Sequence, residues 1–267
     1  ERVDAVVVMH ADGDERGERH GRTADDLLVL YAEIAEAQLF RGSFFGVALN
    51  RRFGGILLGF GMLQTEQLVD GNGVELLGNT EATTNEMFLY NVNDFDPKDE
   101  DKVFILMRSV HHQFAKRLME LFPYDRNKFL TISRNRYIES TKLIADIFKG
   151  EIQGRRLLTF SPYPSKRGFF TFHSFLSAED DFAEIISAKL THTPKEVLKA
   201  LAEAKTPYSD EDPEVQRAYD EEARQAYKEL TEKEAFVEDY FNKEIKISLD
   251  YLQMISIKQL KAYMKQK

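Results

Sequence analysis

Apolar and polar positions along the chain change rhythm several times, and each change predicts an element. Residues 3–9 (V-D-A-V-V-V-M) form a nearly continuous apolar run, the pattern of a strand covered on both faces. Residues 10–22 are polar with three glycines and read as a loop, and residues 25–40 carry Leu27, Leu28, Tyr31, Ile34, Ala35 and Leu39 at helical spacing. From 44 to 92 short apolar runs (44–49, 56–63, 87–92) are separated by glycine-rich turn chemistry, including Asp70-Gly-Asn-Gly73, which predicts an antiparallel meander.

Asp96-Pro97 supplies a cap and a first helical position for a helix to about residue 122. Its predicted buried stripe is Val103, Leu106, Met107, Val110, Phe114, Leu118 and Leu121. A second helix is expected over residues 135–149. The aromatic runs 157–161 and 169–175, joined across Pro164-Ser-Lys-Arg-Gly168, predict a hairpin. Beyond 177 the signals are helical. Thr193-Pro-Lys-Glu196 is a capping box with proline at the first position, Asp212-Pro213 starts another helix, and Thr231 to Glu234 reads as a second box. The segment 245–264 is ambiguous between an extended start and a helix. These elements predict an α+β fold: a mixed or mainly antiparallel sheet with packed helices over residues 1–176, then an acidic, all-helical part over 177–267.

Composition narrows the classes. The 267 residues are 43% hydrophobic and 30% charged, a globular balance that excludes wholesale disorder or a coiled-coil rod. Cysteine is absent, which removes disulfides, thiolate nucleophiles and cysteine-ligated metal centres. Asn50-Arg-Arg52 interrupts the most apolar stretch, 44–63, so no membrane helix is expected and a cytoplasmic protein is the reading. The chain begins at Glu1 rather than Met, the mark of processing, trimming or a longer parent.

Charge is segregated. Residues 126–167 hold ten basic and three acidic residues in a chain whose net charge is −9. Their placement on a helix and a hairpin with interleaved aromatics points to a polyanion surface: basic side chains neutralise phosphates and rings stack on bases. On this reading Arg134, Arg136, Lys142, Arg155, Arg156, Lys166 and Arg167 contact DNA or RNA, Tyr163 and Phe169 stack on bases, and no cofactor is needed. Residues 210–239 hold twelve acidic and four basic residues. They read as a solvated helical face, or as a surface that docks on the basic segment in the same or a neighbouring chain. Self-association or a protein partner through 210–239 is therefore a third reading, that of an assembly protein.

The second reading is a metal-dependent phosphoesterase or nuclease. His10, Asp12 and Asp14 leave the first predicted strand together, and oxygens aimed by a rigid strand hold a divalent cation such as Mg2+. The glycines between 46 and 61 match neither the P-loop nor the dinucleotide fingerprint, and no nucleophile elbow is present. His111 and His112 sit on the long helix about 100° apart, so they cannot both ligate one ion, and His111 reads as a hydrogen-bonded residue bordering the apolar stripe. His173 and His192 have no evident partner in the sequence.

Overall fold

The computed structural model describes residues 59–62, 78–81, 86–89, 98–134, 136–137 and 155–265. Three strands of four residues each, β1 (Gly59–Met62), β2 (Gly78–Glu81) and β3 (Glu86–Leu89), form a sheet in the order β1-β3-β2. β1 runs parallel to β3 and β2 antiparallel to it, with Gly59 opposite Glu86 and Gly78 opposite Leu89. β2 and β3 lie against α1 (Glu100–Leu121), the first long helix.

Everything else described is helical or irregular. α2 (Arg126–Ile132), α3 (Arg155–Leu158), α4 (Pro162–Ser165), α5 (Ala178–Thr191), α6 (Pro194–Lys205) and α7 (Pro213–Tyr240) follow in order. A π turn (Phe241–Ile245) leads into α8 (Leu249–Lys265). This corrects the α+β expectation of a sheet-built body followed by helices. Helices on both sides of residue 177 share one core, in which Phe114 and Leu118 of α1 and Phe129 of α2 join Phe182, Ile185 and Ile186 of α5. Leu230 and Val237 of α7 close it. Around Phe182 the aromatics interlock: Tyr124 stacks on it at 4.3 Å, and Phe129 and Tyr240 meet it edge-on at 5.3 and 5.2 Å.

The predicted hairpin is replaced by turns and short helices. Ser161 precedes Pro162 at the first position of α4, where a missing N–H costs nothing and a strand would lose a ladder bond. In the second run Phe169 and Phe170 are both buried, which a half-buried strand does not allow. Phe169, Phe172 and Phe175 instead recur every third residue and pack with Leu157 and Leu158, the last of them in a 3-10 turn (His173–Phe175). The turn glycine is real. Gly168 has φ +77°, and a Cβ there would come 2.5 Å from Glu229 Oε2.

Helix starts follow the caps, with two shifts. Asp99, not Asp96, caps α1, accepting from the amides of Asp101 and Lys102. Thr231 lies inside α7, its hydroxyl donating to the Tyr227 carbonyl at 2.8 Å, so no helix starts there. Of residues 245–264, Ile245 ends the π turn, 246–248 are an irregular link and 249–264 belong to α8. The predicted strand 3–9, the helix 25–40 and the turn 70–73 lie outside the described residues, as does the predicted helix 135–149 except for residues 136–137, which are not helical. The capping box at α6 is present as read, with Thr193 accepting from the Glu196 amide and Glu196 from the Thr193 amide. Thr193→Ala is expected to cost about 1 kcal/mol in urea denaturation, the ordinary value of such a cap. A cost near zero would mean that α6 is held by packing alone.

Candidate metal centre

α1 and α5 run antiparallel along a seam whose polar residues step by one helical turn. Arg108, His112 and Lys116 follow one another at i, i+4, i+8 on α1, and Glu184 and Asp180 answer them in reverse order on α5. Arg108 Nη2 donates to Glu184 Oε2 at 2.5 Å, with neither side chain exposed. The Thr171 hydroxyl donates to the same oxygen at 2.7 Å, and His112 Nδ1 lies 2.9 Å from Glu184 Oε1. The opposite edge of the imidazole faces Asp180, with Nε2 3.4 Å from Oδ1. Lys116 Nζ reaches that same oxygen at 2.8 Å.

Local sequence sets this geometry. Ser177 caps α5 by accepting from the Asp180 amide, and its hydroxyl donates to Asp180 Oδ2 at 2.7 Å, which leaves Oδ1 turned to α1. Burial opposes the charge on Asp180, but the adjoining His112 imidazole and the Lys116 ammonium outweigh it and hold the carboxyl well below the usual range. Glu184 behaves alike: burial is outweighed by Arg108, His112 and His173. Burial pulls the Arg108 guanidinium down, with Glu184 opposing.

His173 completes the cluster. Its ring meets that of His112 edge-on at 4.7 Å, and its Nδ1 lies 3.7 Å from Glu184 Oε1. His112, His173 and Glu184 each offer one donor atom, and these atoms lie within 4.8 Å of one another, close enough for a metal ion.

A model of the family described as "Putative zinc-binding metallo-peptidase" matches residues 61–250. The chain belongs to this family. Among solved structures, a protein of the same description from Bacteroides caccae is 16% identical with a TM-score of 0.50. The match covers 77% of this chain and 65% of that one, so the chain spans just under two thirds of that structure's length. At this identity the likeness is one of fold. No curated protein matches the chain.

Family membership overturns the nucleic-acid reading, and the geometry explains why the basic segment misled. Arg134 and Arg136 both bind the fully buried carboxylate of Glu229 on the acidic helix α7, Arg134 Nε at 2.8 Å. Arg136 Nη2 also donates to the Arg167 carbonyl at 3.0 Å. Arg167 stacks on Tyr163 at 3.7 Å, Lys166 lies 4.0 Å over Tyr208, and Phe169 is buried under Lys233 Nζ at 3.9 Å. Tyr163 itself stacks on Phe172. These side chains satisfy an acidic helix and an aromatic cluster of the same chain. Arg155 and Arg156 lie on α3, and Lys142, like His10, Asp12 and Asp14, lies outside the described residues.

The family description implies zinc, and the side chains present can be tested against it. A zinc peptidase helix carries H-E-x-x-H: the two histidines, four residues apart on one face, ligate the ion, and the glutamate takes the proton of its bound water. No such motif occurs anywhere in the sequence. α1 instead carries His112-Gln113-Phe-Ala-Lys116. Gln113, buried, has an amide that cannot accept a proton, and the Lys116 ammonium has donors only. The cluster with His173 fares no better as a catalytic site. The Glu184 oxygens already accept from Arg108, Thr171 and His112, so a cation there would sit against a buried guanidinium. These residues do not fit a catalytic zinc.

The sequence reading set His111 and His112 aside as a pair that cannot share an ion. His111 Nδ1 does pair with Thr191 Oγ1, at 3.1 Å. The informative spacing ran from His112 to residue 116, and across 68 and 72 positions to Asp180 and Glu184.

Proposed function

We propose that the protein keeps the scaffold of a zinc metallo-peptidase without its hydrolytic chemistry and acts by binding polypeptide rather than cleaving it. The observation that carries this reading is the helix sequence His112-Gln113-Phe-Ala-Lys116, which lacks both the base and the second ligand of the H-E-x-x-H arrangement. Family membership supports polypeptide as the class of molecule bound.

The test is metal content together with hydrolysis. Purified protein dialysed against zinc and then against metal-free buffer is expected to retain no stoichiometric zinc by elemental analysis. It is also expected to show no chelator-sensitive cleavage of casein or of a mixed fluorogenic peptide library. Chelator-sensitive cleavage that disappears in His112→Ala would refute the proposal.

A second reading has one observation in its favour, the proximity of donors from His112, His173 and Glu184. On that reading zinc is retained by the native chain and lost in His173→Ala, while cleavage is still absent for want of a base.

A further inference from the structure

We propose that the Lys116 ammonium has taken the place of the metal cation, so that the site is a zinc centre rewritten as an internal ion pair. The inference rests on the reading of the chain as a non-hydrolytic member of its family, and it adds what now balances the charge.

Two parts of a zinc site survive. His112 presents Nε2 towards Asp180 and is held from behind through Nδ1 by the buried carboxylate of Glu184. A histidine whose far nitrogen is fixed by a carboxylate is the ordinary arrangement of a zinc-bound imidazole. Asp180 presents Oδ1 to the same point while Ser177 holds Oδ2. One nitrogen and one oxygen therefore converge, and residue 116, one turn beyond His112 on α1, would supply the third donor.

At that position stands a lysine, and its Nζ lies 2.8 Å from the converging carboxylate oxygen. Lys116 is one-third exposed and Asp180 largely buried, so the cation reaches in from the solvent side. A zinc ion and a lysine ammonium answer the same need here, since a largely buried carboxylate requires a positive partner. The ammonium supplies the charge and no Lewis acidity. It also ties α1 to α5 permanently, whereas a metal-held tie depends on loading.

The test is to give the third ligand back. Lys116→His is expected to convert a chain that retains no zinc into one that retains one zinc per chain after dialysis, and to raise its melting temperature by several degrees when zinc is added. Adding Asp180→Asn to Lys116→His should abolish both effects. A folded Lys116→His chain that takes up no more zinc than the native one would overturn the proposal. So would zinc uptake indifferent to Asp180→Asn.

A double-mutant cycle between Lys116→Met and Asp180→Asn decides the matter if the histidine variant does not fold. Non-additive losses of stability are expected, and strictly additive ones would refute the ion pair. The reading beneath fails differently: native protein that already holds zinc and cleaves peptide removes it, whatever the variants do.

Discussion

Glu184→Ala is expected to cost about 3–5 kcal/mol, the range for removing one partner of a buried ion pair. The carboxylate is fully buried on α5 and serves four groups from three segments: Arg108 and His112 of α1, Thr171 before the 3-10 turn, and His173 within it. Among the described residues, truncation leaves the Arg108 guanidinium, also without exposure, with a 3.5 Å contact to the Glu184 backbone carbonyl. An uncompensated buried charge is the larger part of the loss, because the pair itself contributes little beyond its own desolvation. The paired variant Arg108→Met with Glu184→Leu should therefore recover most of what Glu184→Ala loses. Urea denaturation of Arg108→Met, Glu184→Leu and the two combined measures the coupling. A single-variant loss below about 1 kcal/mol would show that helix packing, and not this carboxylate, holds α1 to α5.

How much of this was legible in the sequence depends on the range of the signal. The stripe of α1 was readable because helical periodicity is local, and Val103, Leu106, Met107, Val110, Phe114 and Leu118 are all buried. Caps at Thr193 and Asp212 were readable for the same reason. The aromatic runs misled because β-propensity reports a preference for a half-buried surface, and Phe169, Phe172 and Phe175 found theirs on turns. The polar seam was hidden further. His111 read as bordering the apolar stripe of α1, and Arg108 and His112 gave no signal of a partner, yet all three are buried and meet residues of α5. Nothing in one helix announces that a second, some seventy residues on, will bring two carboxylates to meet it. The one local trace was a histidine followed four residues later by a lysine, which speaks only when set against the motif it departs from. The charge segregation was legible, but its target was not: Glu229, the buried carboxylate that Arg134 and Arg136 share, is one acidic residue among twelve.

Acid is expected to destabilise the protein from about pH 6 downward, before its carboxylates protonate. Burial, and then the Arg108 charge, push the His111 imidazole down to about 3 and that of His192 to about 4, from an ordinary 6.5. Both rings are therefore neutral in the folded chain, while the unfolded chain binds their protons below 6.5. Where the unfolded state holds more protons, stability rises with pH, so it is complete above 6.5 and lost as pH falls towards the folded values. Between pH 7 and pH 4 the two rings together withdraw on the order of 5 kcal/mol, comparable with the whole stability of an ordinary domain. Asp180 and Glu184, held well below their usual values, add their own loss only once pH falls through the range where an unfolded carboxylate protonates. Asp181 acts in the opposite sense, because burial raises its carboxyl despite Lys233, and it offsets part of the loss at the acid end. Circular-dichroism melts at intervals from pH 7 to pH 4 should show a steadily falling midpoint, and His111→Asn with His192→Asn should flatten the fall above pH 5. A midpoint unchanged between pH 7 and pH 5 would mean that both rings take up their protons in the folded chain as readily as in the unfolded one, and would refute the prediction.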